Sequence, residues 1–222
     1  FSDLAILERR VERLNNELKG SKPNERDLKL KEKDTLSKIK NGLEMEIPIR
    51  EQDLSSDDRK MVSNFQFLTA KPTLIVWNVG ENELNKNGNL ENELKKQFAR
   101  PGVELVVLSG KIEMELSDMD QNDSKEFREF MGIEEPGLNR AIMSSYELLG
   151  LISFFTVGSD EVKAWTIEKE TLAVKAAGKI HSDIERGFIR AEVISYKDLT
   201  GSGSINNGKK KGLLRLEGKT YP

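Results

Sequence analysis

Thr73-Leu74-Ile75-Val76-Trp77-Asn78-Val79-Gly80-Glu81 is the stretch on which the fold class turns: an unbroken apolar, β-branched run that ends in a polar turn. Such a run suits a strand buried on both faces of a parallel sheet, where neither side meets water. Moving outward, an amphipathic helix is expected from Leu90 to Phe98. After the break Arg100-Pro101-Gly102, a second buried run, Val103-Glu104-Leu105-Val106-Val107-Leu108, ends in Ser109-Gly110-Lys111. Strand, helix and strand make a βαβ unit. In open α/β sheets ligands bind beyond the carboxyl ends of the strands, so the turns at Asn78 to Glu81 and Ser109 to Lys111 are the first candidates for ligand contact.

Before this unit, Leu4, Leu7, Val11, Leu14 and Leu18 are spaced 3, 4, 3 and 4 apart, with Glu8, Arg9, Arg10, Glu12 and Arg13 between them. That is a helical stripe of the coiled-coil type. Gly20-Ser21-Lys22-Pro23-Asn24 interrupts it, and a second polar helix with Leu36, Ile39 and Leu43 on one face follows to about Leu43. Two helices joined by a short break predict an antiparallel hairpin. After the unit, the turn Glu134-Glu135-Pro136-Gly137 precedes a helix from Leu138 to about Leu149. Glu161 to Ile167 and Phe188 to Ile194 alternate with the period of strands, Leu172 to Ile180 is an Ala-rich helix, and Leu213 to Leu216 suits a last strand. A small mixed sheet gripping one helix, as in a β-grasp, is the simplest packing. The expected fold is α/β plus α+β: a helical coiled-coil arm over 1–63, part of a parallel-sheet domain over 64–144, and a β-grasp domain over 145–222.

Composition removes several function classes. The 222 residues include no cysteine and one histidine, which excludes disulfides, Cys-ligated zinc and thiol catalysis and leaves little room for a histidine metal cluster or a Ser-His-Asp triad. Net charge is −3, with 14 basic and 14 acidic residues in the first region, 9 and 14 in the second, and 12 and 10 in the third. No region carries the strongly basic field of a DNA-binding protein, and no apolar run approaches the ~20 residues of a membrane span. Phe1-Ser2-Asp3-Leu4 is not a signal sequence, so a cytoplasmic location with no membrane partner is expected.

Four groups of residues invite a chemical reading. Gly203-Ser204-Ile205-Asn206-Asn207-Gly208-Lys209-Lys210 imitates a phosphate-binding G-x-x-x-x-G-K loop, but Lys210 stands where Ser or Thr must bind Mg²⁺, and no buried strand precedes it. A flexible basic loop is expected instead, with Lys209, Lys210 and Lys211 as possible contacts to RNA or ribosomal phosphate. His181, after the Ala-rich helix, reads as a C-terminal cap. Glu113, Glu115, Asp118, Asp120 and Asp123 lack the spacing and central glycine of a calcium loop and read as a solvated loop and helix start. Asn78-Val79-Gly80-Glu81 is the strongest group. An Asn followed three residues later by a carboxylate at a strand end is how P-loop G domains read a purine edge, and Ser109-Gly110-Lys111 supplies the companion turn.

At these residues the chain resembles the YchF or Obg-like ATPases, of the translation-factor class of P-loop proteins. Asp3-Leu4 and Glu8 to Leu14 look like that family's entry into its coiled-coil arm. Leu68 to Pro72 with Asn78 to Glu81 looks like its specificity strand, and Gly132 to Leu138 like its interdomain connection. Phe155 to Gly158, Glu161 to Ile167, Ala176 to Asp183 and Glu185 to Glu192 look like its TGS domain. The resemblance implies a ribosome-associated hydrolase that prefers ATP to GTP, since the family carries N-x-x-E where GTPases carry N-K-x-D. It also implies base contact by Asn78, Val79 and Glu81, with Val79 against the adenine by backbone or apolar contact, and by Ser109 and Gly110. The family's P-loop and switch motifs have no counterpart in this sequence, so triphosphate and Mg²⁺ would be held only in a longer parent, and these residues alone should not hydrolyse ATP. Phe1 at the start, and a stop before the family's last TGS strand, suggest a segment of a longer protein. Two other functions are compatible with the sequence: an interaction module that binds ribosome, RNA or protein through the arm and TGS domain without nucleotide, and a purely structural homologue.

Overall fold

The computed structural model describes residues 1–84, 89–158 and 161–222, which divide into two compact units, Phe1–Leu148 and Leu149–Pro222. The architecture is mixed α/β, mostly helical with small sheets.

The first unit opens with two helices, α1 (Ser2–Lys19) and α2 (Pro23–Glu44). Leu7, Leu14, Leu36 and Ile39 are fully buried between them and join Ile49, Leu54, Val62 and Phe67 in one core. Burying each Leu or Ile contributes about 1.5–3 kcal/mol, so this seam holds the pair together. Its direction is legible in the charges: Glu8 pairs with Lys40 at 3.3 Å, Arg10 with Glu32 at 2.7 Å and Glu17 with Lys29 at 3.5 Å. Numbers that rise on one helix fall on the other, so the pair is antiparallel. Half-exposed ion pairs add about 0–1 kcal/mol each, so they orient the hairpin more than they stabilise it. Pro23 at the first helical position starts α2 without losing a hydrogen bond.

The chain then forms α3 (Ser56–Val62), begun by a capping box in which the Asp58 N–H donates to Ser55 Oγ and the Ser55 N–H to Asp58 Oδ2. Asp3, 3% exposed, reaches the turn at Leu68–Ala70. Its carboxylate accepts from the N–H of Leu68 at 3.0 Å and from the N–H and Oγ1 of Thr69, both at 2.7 Å. Burial disfavours that charge, but the three hydrogen bonds outweigh it, and the pKa falls below the usual Asp value.

The next segment is the expected βαβ unit: β1 (Thr73–Asn78), short helix α4 (Glu81–Leu84), α5 (Leu90–Gln97) and β2 (Val103–Leu108). The strands are parallel, in register from Thr73 opposite Val103 to Asn78 opposite Leu108. Leu94, Leu105, Val107 and Val79 form a core with Ile75, Leu90 and Phe98 beneath α5. Then come α6 (Gly110–Asp118), α7 (Gln121–Met131) and α8 (Gly137–Leu148), with Gly137 against Leu108 on the opposite face of β2. The outer edge of β2 is closed by side chains: Glu91 accepts from the Val107 N–H at 3.4 Å, and Arg140 donates to the Val107 carbonyl and pairs with Glu91 at 2.6 Å. Burial opposes the Glu91 charge, yet hydrogen bonds from Lys95 and Arg140 lower its pKa.

Two expectations for this unit are corrected. β1 is not buried on both faces among the described residues: Val76 is 49% and Trp77 40% exposed, and the Trp77 ring stands 6.1 Å from that of Phe98. The acidic tract is not simply solvated. Glu113 and Glu115 lie within α6, and Glu113 accepts from the N–H groups of Gly137 at 2.7 Å and Leu138 at 3.1 Å, capping α8 where the helix dipole favours a carboxylate. Asp120 caps α7 through the N–H groups of Asn122 and Asp123.

The second unit holds β3 (Leu151–Val157), β4 (Val162–Glu168), α9 (Ala173–Ile180), α10 (Ser182–Gly187), β5 (Arg190–Val193), α11 (Tyr196–Ser202), α12 (Ile205–Lys210) and β6 (Arg215–Gly218). β3 and β4 form an antiparallel hairpin, Leu151 opposite Glu168 and Val157 opposite Val162, and β5 pairs antiparallel with β6. Among the described residues these are two separate ladders rather than one mixed sheet. α9 packs against β4 and β6, one strand of each ladder, and its small buried Ala177 permits the close approach. The expected strand from Phe188 shortens to β5 because Phe188 turns into the core ahead of it, and the last strand begins at Arg215 rather than Leu213.

Replacing Asp3 by Ala should cost the first unit about 1–3 kcal/mol in urea unfolding, because part-buried donors lose their acceptor. A carboxylate whose folded pKa is depressed contributes stability above its unfolded pKa, near 4, and loses it as pH falls through the folded value. Asp3→Asn should therefore flatten the acid limb of the stability profile below about pH 4. Replacing Glu113 by Ala removes the cap of α8 and should lower stability by about 1 kcal/mol in the same assay.

Candidate nucleotide-base site

The parallel register carries Asn78 and Leu108 to the same level, so the turns that follow them emerge side by side. Asn78 is exposed at the end of β1. Its Oδ1 accepts from the N–H of Gly110 at 2.9 Å, which links the first turn to the second. Since Oδ1 is occupied, the amide is fixed in one orientation and its Nδ2 remains as a donor.

Glu81 begins α4. Its Oε1 lies 2.5 Å from Lys111 Nζ in the second turn, and Glu115, one turn further along α6, stands 3.9 Å from the same ammonium. The Glu81 hydrogen bond, and then the charges of Glu81 and Glu115, raise the Lys111 pKa above its usual value. Glu83 accepts from the Gly80 N–H at 3.2 Å and tightens the first turn. Of the five residues expected at this site, Asn78, Glu81 and Gly110 are thus brought together at accessible positions. Ser109 is buried as the residue before α6, 2% exposed, and its carbonyl accepts from the Glu113 N–H at 3.0 Å. Val79 is turned away: its side chain is 7% exposed in the core with Leu94 and Leu105, and its N–H donates to the Leu108 carbonyl. That burial removes the apolar contact expected between Val79 and a base, because alternation along the strand end points its side chain beneath α5.

Lys111 is the residue that sequence reasoning passed over. The signal for it in the sequence is an acidic residue in one turn and a basic one in its neighbour, on strands expected to run parallel.

Ser204, Gly208 and His181 take structural roles. The Gly203–Lys210 segment is no loop: Ser204 Oγ caps α12 by accepting from the Asn207 N–H at 3.2 Å. A Cβ on Gly208 would fall 2.6 Å from Ile194 Cδ1, so this glycine serves packing. Lys209, Lys210 and Lys211 are exposed at the end of α12, with Lys209 3.7 Å from Glu192. His181 ends α9, as expected, and also starts α10, its Nδ1 accepting from the Asp183 N–H at 3.1 Å. Among the described residues no three His, Asp or Glu side chains converge as metal ligands, and no helix is long and apolar enough to cross a membrane.

Comparisons with known proteins extend the likeness to the whole chain. Residues 151–222 match the YchF-GTPase C-terminal family, described as a protein of unknown function (DUF933). The ribosome-binding ATPase YchF of Bacillus subtilis is 39% identical over 223 residues, covering 100% of this chain and 60% of that protein. The protein of the same name from Pasteurella multocida is 40% identical over 221 residues, again covering 60% of its length. The solved structure of the Schizosaccharomyces pombe YchF GTPase superposes with a TM-score of 0.85 at 30% identity, over 99% of this chain and 59% of that one. The chain spans about 60% of the length of these relatives, and over that span it is similar to the YchF proteins.

Proposed function

We propose that this chain is the base-reading and ribosome-contacting part of a cytoplasmic, ribosome-associated ATPase, and that it prefers ATP to GTP. The observation that carries the reading is the pairing of the two turns, with Asn78 fixed by the Gly110 N–H and Glu81 beside it at the open ends of parallel strands. A fixed amide donor next to a carboxylate acceptor suits the N7 and 6-amino group of adenine, whereas the 6-oxo group of guanine would put a second acceptor against the carboxylate. Val79 contributes backbone rather than side chain. The residues present fit a purine base; bound ATP would supply the triphosphate, and Mg²⁺ its charge compensation. No G-x-x-x-x-G-K-[ST] motif occurs in these 222 residues, so hydrolysis depends on a phosphate-binding loop outside them. The α1–α2 hairpin is read as the family's coiled-coil arm, residues 64–144 as its G-domain portion, and residues 145–222 as its TGS domain.

A second reading, a non-catalytic ribosome or RNA module, draws support from Lys210 and Lys211, which are exposed and carry no ion pair among the described residues.

Titration calorimetry with ATP and GTP tests the first reading. Contacts to the base without a phosphate cradle should give dissociation constants on the order of millimolar, about −4 kcal/mol or weaker. ATP should bind more tightly than GTP, and Asn78→Ala should abolish the heat; equal binding of both nucleotides, or an unaffected variant, would overturn the base site. For ribosome contact, affinity should fall as salt rises, and neutralising Lys209, Lys210 and Lys211 together should flatten that dependence. Salt-independent binding would place the contact elsewhere.

A further inference from the structure

We propose that Lys111 is a positioning residue for base discrimination: its ammonium holds one oxygen of Glu81, leaving the other as a fixed acceptor beside the Asn78 amide. This rests on the base-site reading above and adds to it the residue that sets the geometry. Three contacts carry it. Lys111 Nζ is 2.5 Å from Glu81 Oε1. Asn78 Oδ1 is 2.9 Å from the Gly110 nitrogen, the residue immediately before Lys111. Glu115 lies 3.9 Å from the same ammonium, on the next turn of α6. One short segment, Gly110-Lys111, thus orients both side chains of the N-x-x-E motif, the first through a backbone N–H and the second through an ammonium.

The consequence is chemical. A free glutamate at the start of a short helix samples several rotamers and can turn away from a ligand that offers it no donor. Tied at Oε1, Glu81 keeps Oε2 near the site whichever base enters, so a ligand with an amino group gains a hydrogen bond and one with an oxo group meets an acceptor. Discrimination against the wrong base needs that second, repulsive element, and the tie to Lys111 supplies it. Lys111 and Glu81 are both accessible, with side-chain exposures of 64% and 41%, so the pair contributes little to folding and is available to act on a ligand.

The test compares the unsubstituted chain with Lys111→Met, Lys111→Arg and Asn78→Ala, using ATP and GTP as probes and following the Asn78 side-chain amide and Gly110 backbone amide resonances by NMR titration. Lys111→Met should keep the thermal midpoint and still bind ATP, while the ratio of ATP to GTP affinity falls about tenfold, the change that loss of one charge-assisted hydrogen bond produces. Lys111→Arg should restore most of the ratio, which a merely structural role would not require. An unchanged or larger ratio in Lys111→Met, with Asn78→Ala still abolishing binding, overturns the role of Lys111 and leaves the base site standing. Binding that survives Asn78→Ala, or no binding by the unsubstituted chain, removes the base site and this inference with it.

Discussion

The parallel pairing of β1 with β2 is the constraint on which the rest depends. With Asn78 opposite Leu108, two turns more than thirty residues apart in sequence leave the sheet together, and a side chain of one can hydrogen-bond the backbone of the other. In an antiparallel pair the corresponding ends would lie at opposite ends of the ladder. The crossover through α5 makes the parallel arrangement possible, and α5 holds it by burying Leu94 against Leu105 and Val107.

The two edges of this small sheet are treated differently. Beyond β2 the polar groups of Val107 are met by Glu91 and Arg140, which are paired to each other. Beyond β1 no strand follows among the described residues, and Val76 and Trp77 stay open to solvent. The apolar run is only partly buried among the described residues, and a local pattern does not encode which elements cover it. The Asp3 carboxylate links the start of α1 to the residues just before β1, so hairpin and sheet share a foundation that neither pattern predicts.

Local rules read well where a single element decides the outcome. The 3,4 spacing that runs from Leu4 through Leu7, Val11 and Leu14 placed the hairpin core, and the Ala-rich stretch placed α9, whereas α2 begins at Pro23, within the expected break. They failed where distant residues decide. Gly203 to Lys210 carries glycines and lysines that suit a loop, yet Ser204 caps a turn of helix and Gly208 is required by the nearness of Ile194 and Leu214. The acidic tract read as solvated because nothing near Glu113 in sequence shows that the start of α8 lies above it, with two N–H groups that need an acceptor.

The candidate site divides along the same line. Sequence determined which chemistry is present: an amide and a carboxylate three residues apart at a strand end, a serine–glycine turn at the next, no cysteine, and no motif that cradles phosphate. Tertiary structure decided how those groups are used. It turned Val79 into the core, buried Ser109, fixed the Asn78 amide through Gly110 and tied Glu81 to Lys111. The physical reason is range: propensity and periodicity act over a few residues, whereas hydrogen-bond partners and burial are set by whichever strand and turn the fold brings alongside.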